Sequence, residues 1–354
     1  MSRFFSEKYA SLTPYVPGEQ PQDKKYIKLN TNESPFPPSP RAQSYAKRES
    51  ERLELYSDPE CRELVKFASE YFDVRPGEIL FTNGSDEILN FAFMAFCDKD
   101  HPAYFPDVTY GFYSVFAQLN GVPYKEIPLK DDFTIDLNDY SGLKGAIFIA
   151  NPNAPTGLLL PVDAIEMLVQ RNPEAVVVVD EAYIDFGGVS CLPLIHRYEN
   201  LLVTRTFSKS RSLAGGRLGF GAGCEALIQD LNTVKYSTNP YNVNRMTMAA
   251  GLGALEDDDY FRSCCSEICG TRDLTAQALQ ALGFTVGESR TNFLFPKCPA
   301  PGAETLYRKL KEKGVLVRWF DKPRLREYLR ITVGSPAQMA ALLQAIREIL
   351  EETA

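Results

Sequence analysis

The chain has 354 residues, 44% of them hydrophobic and 24% charged, with a formal net charge of −8. This balance is globular, and the length suits one large domain with a smaller partner around an ample core. The acidic surplus argues against nucleic-acid binding, no stretch approaches the roughly 20 apolar residues of a membrane span, and the N-terminal stretch carries no signal-like core.

Residues 1–40 are rich in Pro, Asn and Ser ("YVPGEQPQ", "TNESPFPPSP") and read as an irregular arm. From about 45 to 240 strands and helices alternate. "ILFT" is a short strand, "NGS" a turn and "DEILNFAFMAF" an apolar helix. "AYFPD" and "PYKEIPL" bracket the helical "GFYSVFAQLNG". "GAIFIANP" is a buried strand, "PVDAIEMLVQRN" a helix with Pro at its start, and "AVVVVDEAY" and "LLVTRTFS" are further strands. Such alternation predicts an α/β domain with a mostly parallel sheet and helices on both faces. From about 245 the texture changes to longer helices (247–283), then the strands "TNFLFP", "GVLVRWF" and "YLRITVG". A last helix follows, with Ser335 as N-cap and Pro336 at its first position. This part reads as a smaller α+β domain. The division expected is an arm over 1–40 joining the small domain, a large domain over 41–244 and a small domain over 245–354.

The eight cysteines show no paired spacing and read as reduced thiols of a cytosolic protein. "CCSEIC" lacks a fourth zinc ligand, and His101 and His196 are too scattered for a metal site.

In open parallel sheets ligands bind beyond the carboxyl ends of the strands. Four sets of residues stand there: Gly84-Ser85-Asp86, Asn151-Pro152-Asn153, Asp180-Glu181-Ala182-Tyr183 and Thr206-Phe207-Ser208-Lys209. They should converge at one rim. A strand of four valines ending in Asp180 and Glu181 fits two readings: the magnesium-holding strand of a P-loop ATPase, or a carboxylate facing a cation brought by a cofactor. The dipeptide Gly-Lys occurs nowhere in the chain, so the phosphate loop of the first reading is missing. "GGRLGFGAG" does not open a βαβ unit, so its glycines are weak evidence for a dinucleotide.

In "RTFSKSRSLAGGRLGF" Lys209 lies between two serines. Thr206, Ser208 and Arg217 could surround a phosphate, and Gly84 and Ser85 stand where a helix N-terminus favours an anion. A lysine between such elements suits a phosphorylated aldehyde such as pyridoxal phosphate, whose protonated ring nitrogen would face Asp180. Taken singly, a loop lysine is ordinarily a solvated charge, most of the 18 tyrosines are packing, and strand arginines are commonly surface pairs of small worth.

Together these motifs resemble the fold-type I pyridoxal-phosphate enzymes and, within them, the histidinol-phosphate aminotransferases. The resemblance runs nearly the whole chain: "LNTNESP", "LYSDPE", "NGSDE", "VTYGFY", "NPNAPTG", "DEAYIDF", "RTFSKSRSLAGGRLGF", "YNVN", "GVLVR" and "LRITVG". It implies pyridoxal 5′-phosphate as cofactor. Lys209 would hold it and then move the substrate proton, Asp180 would pair with the ring nitrogen, and Tyr183 would bond the phenolic oxygen. Tyr110 would stack on the ring, and Gly84, Ser85, Asp86, Thr206, Ser208 and Arg217 would surround the phosphate. Tyr56 would reach that phosphate from a neighbouring subunit, which implies a homodimer. Arg330 would grip the amino acid's α-carboxylate, while Arg318 and Tyr15 would line the part that takes the substrate's own phosphate or side chain. One departure matters. The family usually has Asn where this chain has Ala154, so Asn153 is expected to stand in at the phenolic oxygen, or Tyr183 to supply that bond alone. Gly216, in place of a larger apolar residue, and "SDPE" after Tyr56 are milder changes.

The expected reaction is transamination of L-histidinol phosphate with 2-oxoglutarate, giving glutamate, in a cytoplasmic homodimer of histidine biosynthesis. An aromatic amino acid aminotransferase, a threonine-phosphate decarboxylase on the same fold and a noncatalytic binding protein are the alternatives. The intact Lys209, Asp180 and Arg217 argue against the last.

Overall fold

The computed structural model describes residues 2–10 and 12–353. In chain order its main elements are β1 (Ile27–Lys28), α1 (Pro40–Glu49), α2 (Arg62–Phe72), β2 (Ile79–Thr82), α3 (Ser85–Phe96), β3 (Ala103–Pro106), α4 (Phe112–Asn120), β4 (Tyr124–Ile127), β5 (Gly145–Ala150), α5 (Val162–Arg171), β6 (Ala175–Asp180) and β7 (Leu201–Thr206). There follow β8 (Gly219–Gly223), α6 (Glu225–Thr238), α7 (Arg245–Glu256), α8 (Asp258–Ala281), β9 (Phe293–Leu294), α9 (Ala303–Glu312), β10 (Val315–Leu316), β11 (Arg318–Trp319), β12 (Leu329–Thr332) and α10 (Pro336–Thr353). Among the described residues no helix is long and apolar enough to cross a membrane.

Seven strands form one sheet in the order β2-β8-β7-β6-β5-β3-β4. β3 to β7 pair in parallel, and β8 runs antiparallel to both its neighbours. β6 lies inside, flanked by β5 and β7. Its valines serve both faces. Val177 and Val179 join α5's Ile165 and Leu168 on one side, while Val178 joins α3's Ile88 and Phe93 and α4's Phe116 on the other. The three valines are fully buried, and each such burial contributes on the order of 1.5–3 kcal/mol. This double-sided packing holds the end of β6, with its Asp180, in a fixed place.

β8 was not foreseen as a strand. "GFGAG" carries no apolar run or alternation, but its glycines answer to sterics. A Cβ on Gly219 would lie 2.4 Å from the Ser85 nitrogen, and one on Gly221 would lie 2.7 Å from Ile88 Cγ1. α3 therefore rests directly on the bare backbone of β8, and this sets where its N-terminus points.

The second body gathers α8, α9 and α10 about β9, β10 and the antiparallel order β11-β12-β9. The arm joins it by main-chain pairing, Ile27 beside Val315 and Lys28 beside Leu316, and by Leu29 in its core. Ser335 caps α10: its hydroxyl accepts from Gln338 N at 3.3 Å and its own N–H donates to Gln338 Oε1 at 2.8 Å. α7 differs from the expected division at 244/245. Its Ala250, Leu252, Ala254 and Leu255 pack in the same cluster as β6, so the change of core falls between α7 and α8.

Gly219→Ala is expected to push α3 off β8. Overpacking of this kind costs about 1–3 kcal/mol, which corresponds to a fall in Tm of about 1–4 °C for a chain of this length. A thermal melt unchanged from wild type would show that the close approach is not a constraint.

Candidate active site

The four strand ends do converge. A cavity of about 330 Å³ is lined by Ser85 and Asp86 after β2, Pro152 and Ala154 after β5, Asp180, Ala182 and Tyr183 from β6, and Thr206, Ser208 and Lys209 from β7. Tyr110, Arg217 and the arm residues Thr31 and Glu33 also line it. A larger cavity of about 910 Å³ beside Cys61 and Lys235 contains none of these groups.

One side of the cavity is built for an anion. α3 starts at Ser85, so its first N–H groups have no helical partner. The hydroxyls of Thr206 and Ser208 stand 3.0 Å apart beside it. Gly84, with φ +80°, admits Arg217, since a Cβ there would lie 2.6 Å from the guanidinium. Arg217 itself has φ +55°, and its Nη2 donates to Asp86 Oδ2 at 3.0 Å. Tyr110 OH donates to the other Asp86 oxygen at 2.7 Å. The Asp86 carboxylate thus orients Arg217 and Tyr110, and any service to an anion falls to its backbone.

On the other side, Asp180 is 5% exposed. It accepts from Thr204 Oγ1 at 3.1 Å and from the fully buried Tyr113 OH at 3.4 Å. Among the described residues no cation pairs with it. Burial pushes its carboxyl up to about 7, against the pull of the Thr204 hydroxyl. An uncompensated buried carboxylate is costly, so the pocket fits a ligand that carries a protonated ring nitrogen. Pyridoxal phosphate combines such a nitrogen with an anion for the α3 end.

Lys209 Nζ donates to Thr31 O at 3.3 Å and lies 5.8 Å from the centre of the Tyr183 ring. Tyr183 OH receives the Asn32 amide at 2.9 Å. Behind Lys209, Ser210 Oγ donates to Asp185 at 2.5 Å, and Arg205 pairs with Asp185. Glu181 accepts from Ser190 Oγ at 2.5 Å and Cys191 N at 2.7 Å, which makes it a structural carboxylate.

Two expected residues stand apart. Asn153 donates its amide to Val108 O and Thr156 Oγ1 and accepts from Thr109 Oγ1. It is spent on the loop and does not line the cavity, where Ala154 does. The stand-in role expected of it is therefore corrected, leaving Tyr183 with Asn32 behind it. Tyr56 is 80% exposed, stacked on Tyr241 at 4.6 Å and away from the cavity of its own chain.

A second cavity of about 400 Å³ adjoins the first through Tyr110 and Ala154, and is lined by Tyr15, Arg318, Phe320, Lys322 and Arg330. Tyr15 stacks on Phe112 at 4.2 Å. Arg330 donates one N–H to Asn30 O at 3.1 Å, while its buried Nε has no partner. Arg318 gives its two terminal nitrogens to Val16 O and Pro17 O, at 3.0 and 3.2 Å. It holds the arm. Sequence reasoning missed Thr31, Asn32, Glu33, Tyr113 and Lys322. Tyr113 had a usable signal, lying one helical turn beyond Tyr110 in "VTYGFY".

Residues 24–346 match the family described as aminotransferase class I and II. The histidinol-phosphate aminotransferase of Brachyspira hyodysenteriae is 48% identical over 353 residues, covering 99% of this chain and 100% of that protein. That of Marinomonas sp. is also 48% identical over 353 residues, with the same coverage. In fold, the chain is similar to the crystal structure of histidinol-phosphate aminotransferase from Sinorhizobium meliloti in complex with pyridoxal-5′-phosphate, with a TM-score of 0.90, 24% identity and 99% of each chain covered.

The Asp180 carboxyl near 7 lies above the ~3.9 of an exposed aspartate. Between those values the folded protein keeps a proton that the unfolded chain has released, so this group lowers stability as pH rises through that window. In cofactor-free protein, urea titrations at about pH 4.5 and 8 should show a larger loss for wild type than for Asp180→Asn, by about 3 kcal/mol. Equal pH dependence would refute the assignment.

Proposed function

The chain belongs to the class I and II aminotransferases, and we propose that it transfers the amino group of L-histidinol phosphate to 2-oxoglutarate with pyridoxal 5′-phosphate as its cofactor. The observation that carries the cofactor is the counterion-less Asp180 in one cavity with Lys209 and the anion cradle at α3. The substrate rests on full-length relatives of that name and on a second, arginine-lined cavity beside the first.

When bound, the cofactor supplies an electron sink that makes the substrate's Cα proton labile. The α3 N-terminus, Ser85, Thr206, Ser208 and Arg217 would hold its phosphate. Asp180, ionised once a cation lies beside it, keeps the ring nitrogen protonated. Tyr183, steadied by Asn32, would donate to the phenolic oxygen, and Tyr110 would cover the ring. Lys209 is the lysine in the cavity wall. Its amine would anchor the cofactor and, once the substrate's amino group has replaced it there, would be free to take the Cα proton as base and return it as acid. The unpartnered Nε of Arg330 is free to complete a fork on the α-carboxylate of glutamate. Tyr15 closes the outer side. The exposed Tyr56 fits a role in the cavity of a second copy, as a homodimer requires, and eight free cysteines suit the cytoplasm.

The test follows the cofactor's visible absorption. Histidinol phosphate should convert the loaded enzyme to its aminated form, and 2-oxoglutarate should restore it. Release of CO₂ from threonine phosphate, or conversion by aromatic amino acids alone, would overturn the substrate. Lys209→Ala should reduce turnover by about a thousandfold or more. Turnover like wild type in that variant would remove the lysine from the mechanism.

A further inference from the structure

A phenol can donate or accept a hydrogen bond, and which of the two Tyr183 offers the cavity is decided behind it. Its oxygen receives the Asn32 amide at 2.9 Å, and among the described residues nothing accepts its own proton. The charged groups around it are engaged elsewhere. Lys209 Nζ lies 5.8 Å from the ring centre and donates to Thr31 O. Arg330 lies over Phe293, whose ring meets Tyr183 edge-on at 5.2 Å, and it bonds Asn30 O. Asp86 and Asp180 accept from other hydroxyls, and Glu33 pairs with Lys28.

The Asn32 amide is not free to turn end for end, because its partners tell its two ends apart. The order starts at the main-chain N–H of Asn32, which can only donate, and which meets Thr332 Oγ1 at 2.9 Å. The Thr332 hydroxyl must then send its own proton elsewhere, and Asn32 Oδ1 accepts it at 3.0 Å. With Oδ1 so engaged, the Nδ2 end faces Tyr183 and donates. The one proton left over is that of the phenol, in the cavity wall that Tyr183 shares with Lys209. Asn32 and Thr332 are 1% and 2% exposed, so bulk water does not compete for these bonds. The arm is laid along β12 to make them: Thr332 N donates to Leu29 O at 2.9 Å, and Asn32 takes a left-handed backbone with φ +57°.

We propose that Thr332 and Asn32 are positioning residues that fix the direction of the Tyr183 hydrogen bond, so that the phenol meets the cofactor's phenolic oxygen as a donor. The inference rests on the cofactor reading given above. A donor at that oxygen steadies negative charge on it, and so lowers the proton affinity of the neighbouring nitrogen by which Lys209 would hold the cofactor. Thr332, on a strand of the second body and outside the cavity wall, would thus act on the cofactor only through Asn32 and Tyr183.

The experiment loads wild type, Tyr183→Phe, Thr332→Val, Thr332→Ser and Asn32→Gly with pyridoxal 5′-phosphate and follows the visible absorption as pH is varied, with no substrate present. In Tyr183→Phe the midpoint of the absorption change should rise by about 0.4–1 unit, the worth of one hydrogen bond. Thr332→Val should move it the same way, because the amide is then free to turn and accept from the phenol. Thr332→Ser, which keeps the hydroxyl, should stay at the wild-type midpoint. Asn32→Gly keeps the left-handed backbone and should act like Thr332→Val, and it serves in its place if that variant does not fold. Added to Tyr183→Phe, neither change should move the midpoint further. A midpoint unmoved in folded Thr332→Val, or in Asn32→Gly, would overturn the proposal. So would a Thr332→Ser that shifts like Thr332→Val, or an equal shift in the Tyr183→Phe background, which would mark a structural effect that bypasses the phenol. If wild type takes up no cofactor, the cofactor reading fails and the proposal with it. If wild type and Tyr183→Phe titrate alike, the proposal alone fails.

Discussion

Asp180 is carried into the interior by a strand packed on both faces, and the two hydroxyls that meet it, Thr204 and Tyr113, soften its desolvation without supplying charge. The neighbouring Glu181 has a nearby guanidinium in Arg205, besides Ser190 and the Cys191 amide. The two adjacent carboxylates therefore play opposite parts. Glu181 is satisfied within the chain and fastens β6 to the segment that follows. Asp180 is left short of one positive charge, in the wall where Lys209 and Tyr183 also stand. A ligand bringing that charge gains selectivity, because a neutral ring would leave the carboxylate as costly as before.

The opposite end of the cavity depends on what side chains are missing. Gly219 lets β8 touch the first turn of α3, and Gly84 leaves room for the Arg217 guanidinium. Arg217 accepts a left-handed backbone, uncommon for a residue with a Cβ, and Asp86 fixes its direction. Anion site and cation site are thus positioned by different means, one by close backbone approach and one by burial.

Much of this could be read from the residues. The strand ends carrying Ser85, Asp180 and Lys209 follow apolar runs that declare their strands, and a parallel sheet brings such ends together. β8 was hidden because alternate glycines carry no hydrophobic period; their reason is a contact with α3, distant in sequence. Asn153 misled because neighbours in a turn point in different directions, and its amide was already claimed by Val108 and Thr156. Arg318 was recognised as belonging to the pocket, but not its bonds to residues some 300 positions earlier, which follow from arm placement. The boundary at 244/245 marked a real change of texture. The apolar residues of α7 pack in the cluster of the sheet, a placement that the change of texture alone does not show.

The left-handed turn at Asn32 has a mechanical meaning. Its main-chain N–H donates to Thr332 and its carbonyl accepts from Asn292, both in the second body, while its side chain reaches Tyr183 and the preceding carbonyl reaches Lys209. One residue of the arm therefore stands between the two bodies, like the pin of a hinge. The Lys209 amine and the Tyr183 phenol are tied through this stretch of the arm to the start of β9 and to β12, so the placing of both groups depends on how the second body holds the arm.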